Sequence, residues 1–416
     1  MQRLLAFLLL SSSVVLGGCG TVGAHSQPEA ASPAKTAPQA MPRQEERLPP
    51  PGETHPLVAP PPIRPGREIP STVAAPGGTI ALLLPLKAPA FASAAEAVKQ
   101  GFMAAFSFSA TGGDSTGGNA PRLNVKLYPT DAREEDILAA YALAVQEGSN
   151  VVVGPLTRDG VTALAGSGRI SVTTLALNTP EKELAPLPHL YFFALSVEAE
   201  ARQAARTAFG HGRIAITVTA PTLLSKRAQQ AFTAEWKSLG GKLAAQYAIP
   251  NDPAAYPALQ EAVARTPADM IFLAAPYEKA RLVRPYFPPT TAVYATSQIY
   301  GGVKDPGDFD LTGVQFVDMP WLLQPDHPAV AVYPRPGAFL GADLERLYAM
   351  GIDAFRLAKI LLSSGERPVV LEGVTGRLSL GGDHHFQREP TLAVFRQGEA
   401  VVVEPGLSQV PVGDQP

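Results

Sequence analysis

The chain of 416 residues holds one cysteine, Cys19. A single thiol excludes an internal disulfide and any cysteine-rich metal centre. Charge is also sparse: 34 Lys and Arg against 37 Asp and Glu leave a formal net charge of -3. Without basic clusters the chain lacks the face that nucleic-acid phosphates require, so nucleic acid is excluded as a partner. Dinucleotide glycine motifs, phosphate loops of the G-x-x-x-x-G-K type and the H-E-x-x-H metal pair are all missing. Carboxylates are spread along helix faces, and nothing pairs two of them for acid-base work. No cofactor or metal is implied, and these absences favour binding over catalysis.

The lone cysteine sits where an export signal ends. Residues 1–18 carry a basic start at Arg3, an apolar run from Leu4 to Leu10, and small residues before Cys19. This is a signal peptide rather than a membrane span. The string Leu16-Gly17-Gly18-Cys19 matches a bacterial lipobox, which makes Cys19 the lipidated mature N-terminus. Arg3 leaves with the signal, so -3 becomes -4. Gly20 follows the cysteine where an aspartate would mark inner-membrane retention, so the expected address is the periplasmic face of the outer membrane.

Residues 19–77 read as a disordered tether: fourteen prolines lie between Pro28 and Pro76, with few large apolar residues. As a random coil such a segment spans ~45 Å, and as polyproline II it reaches ~180 Å. Residues 405–416 read as a flexible tail.

The folded part, 78–404, alternates strands and helices. Ile80 to Leu86, Leu123 to Tyr128, Val151 to Val153 and Val172 to Leu177 are apolar runs of strand length, and helical apolar periodicity separates them. Asp131 with Glu134 predicts a capping pair for the second helix. After a strand at Leu190 to Leu195 the pattern starts afresh, with a long helix whose stripe is Leu224, Ala228, Phe232, Trp236 and Leu239. Later, Phe339 to Ser363 predicts a helix with Leu344, Leu347, Tyr348, Ile352 and Phe355 on one face. The fold class is α/β: two lobes, each a mostly parallel sheet flanked by helices, joined by a hinge. Lobe 1 is expected over 78–195 and 320–365, and lobe 2 over 196–319 and 366–404.

Polar and turn residues cluster at predicted strand ends, where open α/β sheets bind ligands. These are Pro85 and Leu86, Thr157, Asn178 and Thr179, Tyr277, and Ser297 and Gln298. Each is also ordinary turn chemistry, and only their joint placement makes a candidate cleft. Trp321 lies where the chain crosses between lobes, as hinge packing or as an exposed anchor for a partner. Gly113-Asp114-Ser115-Thr116-Gly117 matches the nucleophile-elbow pattern, but a glycine-rich loop before a strand is the wrong context. His384 and His385 beside Asp383 read as turn residues rather than metal ligands.

Several strings together carry a resemblance: Ile80 to Leu86, Val151 to Leu156, Leu175 to Asn178, Val293 to Gly301, Asp318-Met-Pro-Trp-Leu-Leu323 and Arg346 to Phe355. Over about Thr79 to Val403 the chain is similar to the LpoA/YraM family of outer-membrane lipoproteins. The resemblance implies a type I periplasmic-binding-protein fold and a non-catalytic role: binding and activating a class A penicillin-binding protein in peptidoglycan synthesis. Better-known members carry a helical, repeat-like domain before the bilobed one, where this chain has the Pro-rich tether. The alternative is a membrane-tethered solute receptor closing on a small polar ligand such as an amino acid.

Overall fold

The computed structural model describes residues 77–113, 123–182, 184–363 and 369–403. Cys19, the tether, Ser115 and the tail lie outside them. The first lobe is built from β1 (Thr79–Leu84), α1 (Ala92–Ala110), β2 (Asn124–Pro129), α2 (Glu134–Gln146), β3 (Val151–Val153), α3 (Arg158–Gly166), β4 (Thr173–Ala176) and β5 (Leu190–Phe192). The strands form a wholly parallel sheet in the order β2-β1-β3-β4-β5. Central strands β1 and β3 are covered on both faces, which is why they read as unbroken apolar runs. Gly154, directly after β3, has φ 112, and a Cβ there would lie 2.0 Å from the Leu83 carbonyl oxygen. Only glycine fits this turn.

The second lobe follows with α4 (Val197–Phe209), β6 (Ile214–Thr219), α5 (Leu223–Ser238), β7 (Lys242–Ala248), α6 (Tyr256–Arg265), β8 (Met270–Ala274), α7 (Tyr277–Val283), β9 (Ala292–Ala295) and β10 (Val314–Asp318). The chain then returns to lobe 1 through α8 (Pro320–Leu323), α9 (Pro328–Ala331) and the long α10 (Ala342–Ser363). A small antiparallel sheet of β11 (Val370–Glu372), β12 (Arg377–Leu380) and β13 (Phe386–Glu389) comes next. Last, β14 (Thr391–Arg396) and β15 (Glu399–Val402) join the second sheet, whose order is β15-β14-β10-β9-β8-β6-β7. Parallel from β7 to β10, that sheet is closed by two antiparallel strands.

The lobe boundary expected from sequence needs one correction. Val369, Val374, Leu378 and Phe386 pack in the core of lobe 1, so of the stretch assigned to lobe 2 only β14 and β15 belong there. Short strands with glycine turns do not reveal which core their apolar faces enter. The capping pair at α2 is also different: Arg133 occupies the cap, and the Asp131 N-H donates to Asp136 at 2.8 Å. In α5, Ala228, Phe232 and Trp236 are buried as expected, while Leu224 is exposed.

Helix α10 is buried on more than one face, from Tyr348 through Phe355, because lobe 1 surrounds it. It crosses α1 at two glycines. A Cβ on Gly101 would meet the Tyr348 carbonyl oxygen at 1.8 Å, and one on Gly351 would meet the Val98 carbonyl oxygen at 2.1 Å. The two backbones therefore touch, and Phe355 packs edge-on against Phe102 and Phe106 beside the crossing.

Candidate functional site

Three segments cross between the lobes: β5 to α4, β10 to α8, and β13 to β14. The predicted site residues fall in separate groups on the two lobes. On lobe 1, Thr157 caps α3, its hydroxyl accepting the Gly160 N-H at 3.2 Å. Asn178 donates to the Leu156 carbonyl at 3.0 Å and accepts the Thr179 N-H at 3.0 Å, tying the end of β4 to that of β3. Thr179 accepts a long bond of 3.4 Å from Arg158. Pro85 is buried, and Leu86 closes a tight turn through its N-H to the Leu84 carbonyl. Thr157, Asn178 and Thr179 do come together, but their polar groups serve each other and the backbone.

On lobe 2, Tyr277 opens α7 and donates its hydroxyl to Asp308 at 2.8 Å, with Arg281 over its ring. Burial, then the Asp308 carboxylate that accepts its proton, holds the phenol above its ordinary pKa. Ser297 is buried, and both its N-H and its hydroxyl donate to Glu200, at 3.0 and 2.7 Å. Gln298 beside it is half-buried, and its Oε1 has no hydrogen-bond partner. No hydrogen bond between described residues joins the Thr157 group to Ser297.

Trp321 is wholly buried and cannot be an exposed anchor. Its indole N-H donates to Glu345 at 2.7 Å, Tyr348 packs against the ring, and the Arg335 guanidinium lies 3.8 Å from the ring centroid. Its backbone N-H donates to the Val374 carbonyl. Trp321 lies three residues beyond the end of β10.

The groups that bind the lobes together are ones sequence reasoning did not select. Arg346 of α10 reaches Asp318 at the end of β10 through two bonds, 3.1 and 2.6 Å, and donates to the Ser297 and Tyr300 carbonyls at 2.8 and 2.9 Å. Arg388 of β13 pairs with Glu200 of α4, both nearly buried, and also donates to the Thr375 carbonyl. Burial opposes the charge of Arg346, but the Asp318 carboxylate outweighs it and holds the guanidinium above its ordinary pKa. Removing one partner of such a pair costs about 3–5 kcal/mol, because the survivor is left charged and buried. One signal was available: Glu200 shares a helical face with Val197, Ala201 and Ala204, and a carboxylate on an apolar stripe needs a partner. Asp318 likewise is the charged end of a strand that is buried throughout.

A looser cluster lies nearby. Glu198 of α4 accepts from Arg227 of α5 at 2.7 Å, and Arg158 of lobe 1 approaches the same oxygen at 3.9 Å. Burial works against the Glu198 charge, yet its backbone hydrogen bond and Arg227 hold its pKa below the ordinary carboxylate value. Two open grooves, of about 560 and 600 Å³, lie elsewhere, one against Phe108 and Pro334 and one along β2 and α2. Of the two histidines expected as turn residues, His384 lies in the bend before β13 while His385 forms an isolated β-bridge with Phe192; their rings stack on Tyr191 and Phe192, and His384 Nδ1 lies 3.1 Å from the Leu187 and Leu190 carbonyls. Among the described residues no three His, Cys, Asp or Glu side chains could hold a metal ion, and no helix is long and apolar enough to cross a membrane.

Two parallel-sheet lobes joined by three crossings define a bilobed protein of the periplasmic-binding-protein type. Within that class, the chain belongs to the LppC putative lipoprotein family, whose model matches residues 73–398. It is 30% identical over 330 residues to the penicillin-binding protein activator LpoA of Pantoea ananatis, covering 68% of this chain and 48% of that protein. The LpoA of Yersinia pseudotuberculosis is 28% identical over 402 residues, covering 77% and 60%. The chain thus spans about half the length of the curated relatives it matches. Among solved structures, one from Chromobacterium violaceum described as a putative branched-chain amino acid ABC transporter superposes with a TM-score of 0.64 at 39% identity, covering 76% of this chain and 99% of that one. The LpoA (YraM) C-domain from Haemophilus influenzae, a regulator of PBP1A, superposes at 0.62 with 24% identity, covering 79% and 100%.

Proposed function

We propose that this protein regulates peptidoglycan synthesis by binding and activating a class A penicillin-binding protein, without chemistry of its own. Lipidated at Cys19 in the outer membrane, it extends the bilobed domain on its tether toward the synthase. Activation then means tighter binding to the active conformer of the synthase than to the inactive one, since a regulator shifts a population only by that difference. The observation that carries this reading is the match of 68% of the chain to curated penicillin-binding protein activators. The internal pairing of Thr157, Asn178 and Ser297 supports it, because strand-end groups already bonded to the protein are poorly disposed to receive a solute.

A solute-receptor reading is favoured by one finding, the 39% identity to the Chromobacterium violaceum structure described as a putative branched-chain amino acid ABC transporter. The two are separated by assaying glycan polymerisation and peptide crosslinking by a purified class A synthase, with and without the protein. Stimulation that saturates with concentration is expected. Absence of both stimulation and binding, together with a rise in melting temperature on adding an amino acid, overturns the activator reading.

A further inference from the structure

The junction between the lobes holds one connected chain of buried polar groups. Arg388 pairs with Glu200, Glu200 accepts both donors of Ser297, the Ser297 carbonyl accepts from Arg346, and Arg346 holds Asp318 in a two-bond pair. Its two arginines stand on lobe 1 and its other three members on lobe 2. Arg346 lies on the helix at the centre of the lobe 1 core, and Arg388 on the small sheet packed against that core. Glu200, Ser297 and Asp318 belong to lobe 2, on α4, after β9 and at the end of β10. Two arginines meet two buried carboxylates, and Arg346 donates as well to the exposed Asp343 at 2.9 Å. The Gln203 side chain adds a bond to the Pro390 carbonyl at the third crossing.

We infer that the relay Arg388-Glu200-Ser297-Arg346-Asp318 is an interlobe lock, which fixes the lobes at one angle and fills with the chain's own side chains the position at Ser297 where a cleft ligand would be held. Rotation about the crossings would pull Arg346 from Asp318 and from two carbonyls, or Arg388 from Glu200. Each separation breaks a buried, charge-assisted pair, which is costly. A receptor that opens and closes around solute needs small differences between its states. This junction supplies a large one in favour of the state described here. The domain accordingly acts as a rigid body, whichever macromolecule it contacts. The Arg158-Glu198 approach adds an interlobe contact that is partly exposed and open to screening by salt, unlike the lock.

The test measures the interlobe distance in the full-length chain. Cys19→Ser removes the native thiol, and Glu135→Cys on α2 with Lys237→Cys on α5, both exposed, carry spin labels for double electron-electron resonance. A single narrow distance distribution is expected, unchanged by a mixture of the twenty amino acids or by raising salt to about 1 M, where the Debye length is about 3 Å. Replacing Glu200→Gln with Arg388→Met removes one pair without stranding a charge, and should broaden the distribution while circular dichroism stays that of the folded protein. A broad or two-peaked distribution in the unaltered junction, or contraction on adding amino acids, overturns the lock. Should the double variant fail to fold, Ser297→Ala, which takes the hydroxyl donor away from Glu200, provides the gentler perturbation, expected to widen the same distribution. A folded variant as narrow as the unaltered junction likewise counts against the proposal.

Discussion

At the start of β6 the Asp269 carboxylate accepts the N-H groups of Arg213 and Ile214, at 2.7 and 2.8 Å. These bonds, that of Arg213 first, hold its pKa below the ordinary carboxylate value. A depressed folded-state pKa gives stability that is present above the unfolded value of about 3.9 and is lost as pH falls through the folded one. Asp269→Asn should therefore lower the melting temperature at neutral pH, with the gap to the unaltered protein closing below about pH 4. A gap of constant size across an acid titration would contradict the assignment. Residues were the least legible scale in the sequence. Ser297 was singled out as a strand-end ligand group, but its partners, Glu200 and Arg346, lie 97 and 49 positions away in the chain. No local pattern reports such a pairing. Trp321 was legible as a crossing residue, whereas its burial depends on Glu345, Tyr348 and Arg335, brought in by a later helix and its connection.

Elements were read more fully, because apolar periodicity is local. The alternation of strand and helix through both lobes follows the sequence closely, and the buried runs Ile80 to Leu84 and Val151 to Val153 are the central strands they resembled. Short elements escaped: α7, α8 and α9 have too few turns to display a period. The face predicted for α10 was too narrow, since Leu344 and Leu347 are only half-buried while Glu345 and Arg346 are buried in ion pairs and hydrogen bonds. Its crossing with α1 yields a sharp expectation. Gly351→Ala drives a methyl into the Val98 carbonyl, with backbone rather than a flexible side chain in the way. Overpacking of this kind should cost about 3 kcal/mol or more, read from the midpoint of denaturant unfolding. Gly166→Ala, on α3 where a Cβ meets nothing within 4 Å, is the matched control and should leave the midpoint unchanged or raise it.

For the whole molecule, the division into a signal, a tether and a bilobed domain rests on composition, and the two sheets bear out the bilobed α/β architecture. If Cys19 carries the lipid, Cys19→Ser should move the protein from the membrane fraction to the soluble one with its melting temperature unchanged. Retention in the membrane fraction would reject the lipobox reading. The order in which the chain visits its lobes has a further consequence. Lobe 1 is not complete until α10 and the small sheet have returned to it, and the second sheet lacks β14 and β15 until after Glu389. A growing chain, or one threading through a translocation pore, therefore carries two unfinished cores almost to its end. If the chain crosses a membrane through a pore, such late assembly would delay its commitment to the native state until the strands and helix that close both cores have emerged.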